Sequence, residues 1–513
     1  MMKLTRLFQL APVFLPALLG AQGDVPRQQA AAPTPPPGPA IRKISTASAL
    51  STVALGAVTS VREVGGGRVL VNDGMRRRLM LMDSSLKVIS VVLDSLSESA
   101  NFYGTRPGAL IAYRGDSSLF IDPVSYALLL IDGNGSIARV RSVPRVEDVF
   151  YLASMGPAYG VPGVDAKGRL VYRIQARAAP PKVAPPAGVP YFPPEPDSAF
   201  IVGIDLDTRK LDTLGVIKIP KQEYVLRMME NGGISFTQMV NPLPLTDDWG
   251  VLSDGSLAFV RGRDYRVEYL RPDGAKPSGP KLPFEWQRML DEDKQKLVDS
   301  VKNMNRRQQM TSYVAQMIRW VNMYNREYPK GFSVPEGFTL QPGLQKEWKL
   351  PAGVSLPANY IYACAPGVEP TMSAPLPGAA PAPGMPMMGP PGMPAGTPSC
   401  IPAPIMIGGG QTPPPPTIRE VGVLPPADMP DYRPPFPAGS ARADADGNLW
   451  IRTLPPKPTP GGLVYDIVNK DGEMVDRLQT PPGYTLVGFG PGKVVYLQMR
   501  DASGIHLARV RLR

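Results

Sequence analysis

Four aspartates stand where the chain doubles back: Asp73 after Val69-Leu70-Val71-Asn72, Asp165 before Ala166-Lys167-Gly168, Asp254 before Gly255 and Asp446 before Gly447. Carboxylate oxygens are hard donors, so a set drawn from such turns would hold calcium or manganese. Aspartates also serve turns by bonding their own backbone, beside glycines that take positive φ. His506 is the sole histidine. That argues against His-based zinc sites, Ser-His-Asp triads and Cys-His nucleophiles, and no catalytic residue is expected. Asp132-Gly133-Asn134-Gly135 starts like a calcium loop but lacks the later acidic ligands. Gly65-Gly66-Gly67 is not followed by Lys-Ser or Lys-Thr, so it reads as a turn rather than a phosphate loop. Trp286, Trp320 and Tyr324 read first as core anchors, with lining of a ligand groove as the alternative.

These residues sit among short strands. Asp248 to Gly274 gives three of them: Trp249 and Val251, then Leu257 to Val260, then Tyr265, Val267 and Tyr269 alternating with Arg266 and Glu268. Alternation of this kind marks a half-buried strand, and Asp254-Gly255 and Asp273-Gly274 mark the turns. The stretch is most of one four-stranded antiparallel blade. Similar units run from Val58 to Leu93, Gly104 to Val143, Tyr159 to Ile217, Ile234 to about Pro283, and Ser440 to Leu478. Asp83 and Asp132, at matching turns, lie 49 residues apart, close to one propeller blade. Residues 484–513 supply only three strands of a sixth unit. Residues 41–55 carry Ile41, Ile44, Leu50, Val53 and Leu55 without a local partner and are expected to complete it.

Composition sets the remaining bounds. Lys+Arg of 55 against Asp+Glu of 44 gives +11 over 513 residues, without the dense basic run that nucleic acid requires. Residues 1–21 read as a signal peptide: Lys3 and Arg6 precede an apolar run, and Gly20-Ala21 offers a cleavage site. Residues 22–40 form a Pro/Ala-rich tether, and 41–513 the folded part. Insertions are expected at 178–196, at 285–350 and at 366–416. The second starts helical, with two helices or one broken near Gln308–Thr311 and Leu297, Val301 and Met304 on one face. The third holds 17 Pro and 9 Gly, too little apolar periodicity for a core. Cys364 and Cys400 flank most of it, and a disulfide between them is expected in an oxidising compartment. No run qualifies as a membrane span.

Asp73 after an apolar strand, Trp249 to Tyr269, and Gly447-Asn448-Leu449-Trp450-Ile451-Arg452 together resemble secreted six-bladed β-propeller proteins of environmental bacteria, loosely similar to NHL and TolB-like propellers. The resemblance covers about residues 41–350 and 417–513. It implies an all-β, six-bladed propeller closed by an N-terminal strand, with a small helical insertion and Pro-rich loops. Some related propellers are lactonases or sugar-acid hydrolases with a central metal, but their ligand set has no residue-by-residue match here. The leading expectation is therefore an exported, non-catalytic binding or scaffold propeller, secreted or periplasmic. Its partner would be a protein, peptide or glycan of the cell envelope, with no nucleic acid. A metal-assisted hydrolase and a structural envelope component are the alternatives. No cofactor is expected, calcium being the one metal the carboxylates would suit.

Overall fold

Strands pair in the order in which the chain makes them. The computed structural model describes residues 38–45, 47–96, 101–153, 159–176, 196–221, 223–228, 234–327, 339–342, 361–364, 400–402, 420–455, 460–501 and 503–512. Two short strands, β1 (Ile41–Lys43) and β2 (Ala49–Leu50), precede β3 (Val58–Val64), β4 (Arg68–Asp73), β5 (Arg78–Met82) and β6 (Val88–Leu93). Strands β3 to β6 form an antiparallel array in chain order. The next array is β7 (Ala109–Ala112), β8 (Ser118–Asp122), β9 (Ala127–Ile131) and β10 (Ile137–Ser142). After a short helix α1 (Val149–Ala153) come β11 (Gly163–Val164), β12 (Leu170–Gln175), β13 (Ser198–Ile204) and β14 (Leu211–Lys218), again consecutive.

A hairpin of β15 (Glu223–Met228) and β16 (Ile234–Val240) interrupts the series. It resumes with β17 (Asp248–Val251), β18 (Leu257–Arg261), β19 (Arg266–Leu270) and β20 (Ser278–Lys281). Helix α2 (Asp291–Glu327) follows, then a three-stranded sheet of β21 (Thr339–Pro342), β22 (Ile361–Cys364) and β23 (Cys400–Pro402). Strand β24 (Gly422–Val423) returns to pair in parallel with β16. The last arrays are β25 (Ala441–Ala443), β26 (Leu449–Arg452), β27 (Val464–Val468) and β28 (Met474–Gln479), then β29 (Thr485–Gly490), β30 (Val494–Asp501) and β31 (Gly504–Arg511). Strand β1 lies parallel beside β28, and β2 lies antiparallel beside β31.

The middle strands carry nearly continuous apolar runs because both of their faces are covered. Val69, Leu70 and Val71 of β4 are completely buried, whereas Val88, Ile89 and Val91 of the outer strand β6 are exposed. Six core clusters each span two consecutive arrays. Leu70, Leu79 and Leu81 meet Phe120 and Ile131. Ile121 and Leu128 meet Tyr172 and Ile204, and Ile201 and Ile217 meet Trp249 and Phe259. Tyr265 and Val267 then meet Leu449 and Ile451, and Ile467 and Leu478 meet Val495 and Leu497. Finally Tyr496 and Leu507 meet Val69 and Val71, so the last array packs on the first. Burying one such side chain contributes about 1.5–3 kcal/mol. Polar joints accompany the packing: the Tyr265 hydroxyl donates to Asp466 across two arrays at 2.6 Å, and Arg477 Nε donates to the same carboxylate at 2.6 Å. The architecture is nearly all-β and β-propeller-like.

Three sequence expectations are corrected. Residues 234–240 leave the unit that ends near Pro283 and pair with β15 and β24 instead. Residues 291–327 form one helix rather than two. Its buried face runs through Lys294 and Val298, which pack toward Val423, Leu424 and Met429, while Met304 is 63% exposed. Lys294 is tolerated there because its Nζ donates to Met429 O and pairs with Asp431 at 3.1 Å. The signal peptide 1–21, most of the tether 22–40 and nearly all of the 178–196 and 366–416 insertions lie outside the described residues. Among the described residues no helix is long and apolar enough to cross a membrane.

Candidate functional site

Five of the six first strands carry small residues: Ala109, Gly163, Gly250, Ala441, Ala443 and Gly488. Small side chains let neighbouring strands approach. At Gly488 an added Cβ would stand 2.7 Å from the carbonyl oxygen of Val61, on the strand that pairs with it in parallel. Six such strands, β3, β7, β11, β17, β25 and β29, contribute to the lining of one cavity of about 430 Å³. That volume suits a small organic ligand.

Four charged side chains line it: Arg62, Glu63, Arg442 and Asp444. The acids are occupied. Glu63 accepts the Tyr496 hydroxyl at 2.5 Å and faces Arg509 at 3.6 Å. Asp444 accepts the N–H groups of Asp446 and Asn448, the Asn448 side-chain amide and the Trp450 indole N–H, all between 2.8 and 3.0 Å. The cations are less satisfied. Arg62 donates through Nη2 to the carbonyls of Tyr113 and Gly115, but its Nη1 is buried without an acceptor. Burial pushes the Arg62 guanidinium down to about 10, against the pull of Asp116. Two residues earlier on the same strand, the Ser60 hydroxyl is also buried without a partner.

Arg442 stands between Ala441 and Ala443 on β25 and remains partly accessible. Among the described residues it makes no hydrogen bond or ion pair. Burial lowers its pKa; Tyr465 and Asp248 oppose the shift, and Arg452 adds to it. Asp248 is 3% exposed, and burial raises it to about 6. Its Oδ2 accepts the N–H groups of Ser440 and Ala441, which fastens the fourth array to the entry of β25.

The residues singled out in the sequence lie elsewhere. Asp73 accepts the N–H groups of Gly56, Ala57 and Arg76 at 2.7, 2.9 and 3.2 Å. Asp165 accepts the N–H groups of Lys167 and Arg169 and pairs with the Arg169 guanidinium at 2.7 Å. Asp254 accepts Ser256 N at 2.8 Å. Asp446 accepts the N–H groups of Gly492 and Lys493, tying the β25–β26 turn to the β29–β30 turn. Among the described residues no three His, Cys, Asp or Glu side chains gather into a metal-holding group. Trp286 is 39% exposed against Phe284 and is not part of the cavity wall. The side chains of Trp320 and Tyr324 lie outside the described residues, as do those of Cys364 and Cys400. The backbone register sets Cys364 directly opposite Cys400.

Sequence reasoning missed Arg62 and Arg442. Each stands beside apolar or small residues on its strand, a pattern shared with the exposed Arg139 of β10.

No protein-family profile matches the sequence, and no curated protein matches it. Similar solved structures include regucalcin, a calcium-binding protein from Agrobacterium tumefaciens. It is 11% identical, with 92% of this chain and 98% of that one covered, at a TM-score of 0.33. A catalytically inactive virginiamycin B lyase from Staphylococcus aureus with quinupristin is 8% identical over 90% and 99%, at 0.29. A member of the DUF4221 family from Bacteroides vulgatus is 10% identical over 92% and 97%, at 0.35. Such scores transfer neither activity nor ligand; the architecture rests on the strand pairings above.

Proposed function

We propose that the protein is a non-catalytic binding module whose central cavity receives its ligand: a peptide, a glycan or a segment of a partner protein in the cell envelope. The observation that carries this reading is the cavity itself. Six first strands build it, and its two arginines are incompletely paired while its two acids are occupied. A rigid wall of short strands limits the conformational cost of binding.

The finer architecture belongs to the same reading. Residues 41–513 form six blades, the last completed by β2 as its outer strand and sealed by Leu55 against Ile505. Residues 1–21 direct export, and Cys364 pairs with Cys400 afterwards. Metal-assisted hydrolysis is the competing class, and a calcium titration separates it, because that class requires melting to rise with calcium.

The test uses Ala112→Trp, at an exposed position of the cavity wall. Wild type and variant are applied to arrays of envelope peptides and glycans. The reading requires discrete ligands for the wild type and their loss in a variant of unchanged melting temperature. Retention of every ligand by the variant moves the site away from the cavity.

A further inference from the structure

A guanidinium that lines a cavity without a protein acceptor keeps an uncompensated charge, which the lowered dielectric of a protein interior makes costly. Proteins keep such a group where something else supplies the anion. Arg442 fits this description: it lines the cavity, retains access to it, and has no hydrogen bond or ion pair among the described residues. The nearby negative group, Asp248, acts on it electrostatically but has its Oδ2 filled by two backbone N–H groups and makes no hydrogen bond to it. Asp444, two positions along, has four donors of its own. From another part of the wall, Arg62 adds a second positive charge with Nη1 unpartnered.

We propose that the cavity binds the oxyanion of a small ligand, a carboxylate or a phosphate, with Arg442 as the anchoring group and Arg62 reinforcing the positive potential. This rests on the cavity-binding reading above and specifies its ligand chemistry. A planar guanidinium presents paired N–H donors that match two oxygens of such a group. Beyond Glu63 and Asp444, both held by donors of their own, the remaining wall is neutral: Gly and Ala backbone, Thr59, Ser60, Ser253, Val251 and Phe489. It therefore leaves the oxyanion as the main electrostatic determinant.

The experiment follows melting of the full-length protein at matched ionic strength with inorganic phosphate, glucuronate and its uncharged counterpart glucose. Phosphate and glucuronate are expected to raise the wild-type melting temperature by about 2 °C or more at saturation, and glucose not to do so. Arg442→Met should abolish both shifts without lowering the ligand-free melting temperature, since it leaves no abandoned partner. Arg139→Met, at an exposed position of β10, should keep them. Arg442→Lys covers the case in which Arg442→Met fails to fold: it keeps the charge, loses the fork, and should weaken glucuronate about fivefold or more. No shift with either anion, or unchanged affinity in Arg442→Lys, overturns the proposal. Equal shifts with glucose and glucuronate that survive Arg442→Met also overturn it, yet leave ligand binding in the cavity standing. Loss of every ligand effect in Ala112→Trp separates that reading from this one.

Discussion

Asp248→Asn offers a direct measure of what burial costs at the joint between the fourth and fifth arrays. The Asp248 carboxyl is raised from its ordinary 3.8 to about 6, because burial outweighs the N–H groups of Ala441, Trp249 and Ser440 and the charge of Arg442. A raised carboxyl pKa means that the folded chain holds this proton more tightly than the unfolded one. The resulting stabilisation is full below the unfolded value and is lost as pH rises through the folded value. The shift is worth about 3 kcal/mol in total, of which about 2 kcal/mol falls between pH 4 and pH 7. Asparagine is neutral throughout, and its amide oxygen can accept the Ser440 and Ala441 N–H groups in place of the carboxylate. Urea unfolding of both proteins at several pH values isolates the effect, because every other carboxylate cancels in the difference. Wild type should lose about 2 kcal/mol relative to Asp248→Asn between pH 4 and pH 7. A flat difference would show that the N–H donors balance burial; a difference of opposite slope would show that they win.

Gly160→Ala should cost about 3 kcal/mol by urea unfolding, since Gly160 has φ +77° and a Cβ there would stand 2.4 Å from Trp249 Nε1. A loss below about 1 kcal/mol would mean that Trp249 shifts freely. Deleting residues 22–40 should leave melting nearly unchanged, whereas deletion through residue 55 removes buried Ile44, Ser51 and Leu55 and should produce a destabilised or aggregating protein. Equal melting and equal monomer content in the two truncations would disprove closure by the N-terminal stretch. Cys364 and Cys400 stand opposite each other on antiparallel strands, where Cα atoms are about 4.5–5.5 Å apart, within the reach of a disulfide. Peptide mapping of the non-reduced, exported protein should find them linked, and two free thiols would exclude the bond.

Local signals made the arrays legible. Alternation and Asp-Gly turns place β17 to β19 correctly because a strand and its hairpin partner lie within a few residues of each other. The errors arise where a strand's array cannot be read from its own pattern. Residues 234–240 read as a strand, but their pattern does not say that they join the neighbouring 223–228 and the distant Gly422 and Val423 rather than the array of β17 to β20. In α2 the buried face includes Lys294, which a hydrophobicity pattern counts as polar; the apparent stripe through Leu297 and Met304 is therefore displaced. The expected break near Gln308–Thr311 also fails. Poor helix formers cost only a few tenths of a kcal/mol each, less than interrupting a helix.

The cavity arginines were illegible for a different reason. Alternation along a strand separates two faces but does not say what the polar face meets. For Arg139 on outer strand β10 it meets bulk water; for Arg62 and Arg442, on first strands, it meets the cavity. The difference lies in which strand is innermost, and only the ring of packing contacts fixes that. One compositional trace is visible in retrospect. The first strands carry the small residues Ala109, Gly163, Gly250, Ala441, Ala443 and Gly488, because neighbouring strands converge there. A cation among such residues has no long apolar neighbours to snorkel past toward bulk water. Its charge is met either by a fixed carboxylate or by something that enters the lumen. At Arg442 the nearest carboxylates are held by other donors, and that asymmetry, rather than the presence of an arginine, points to a ligand.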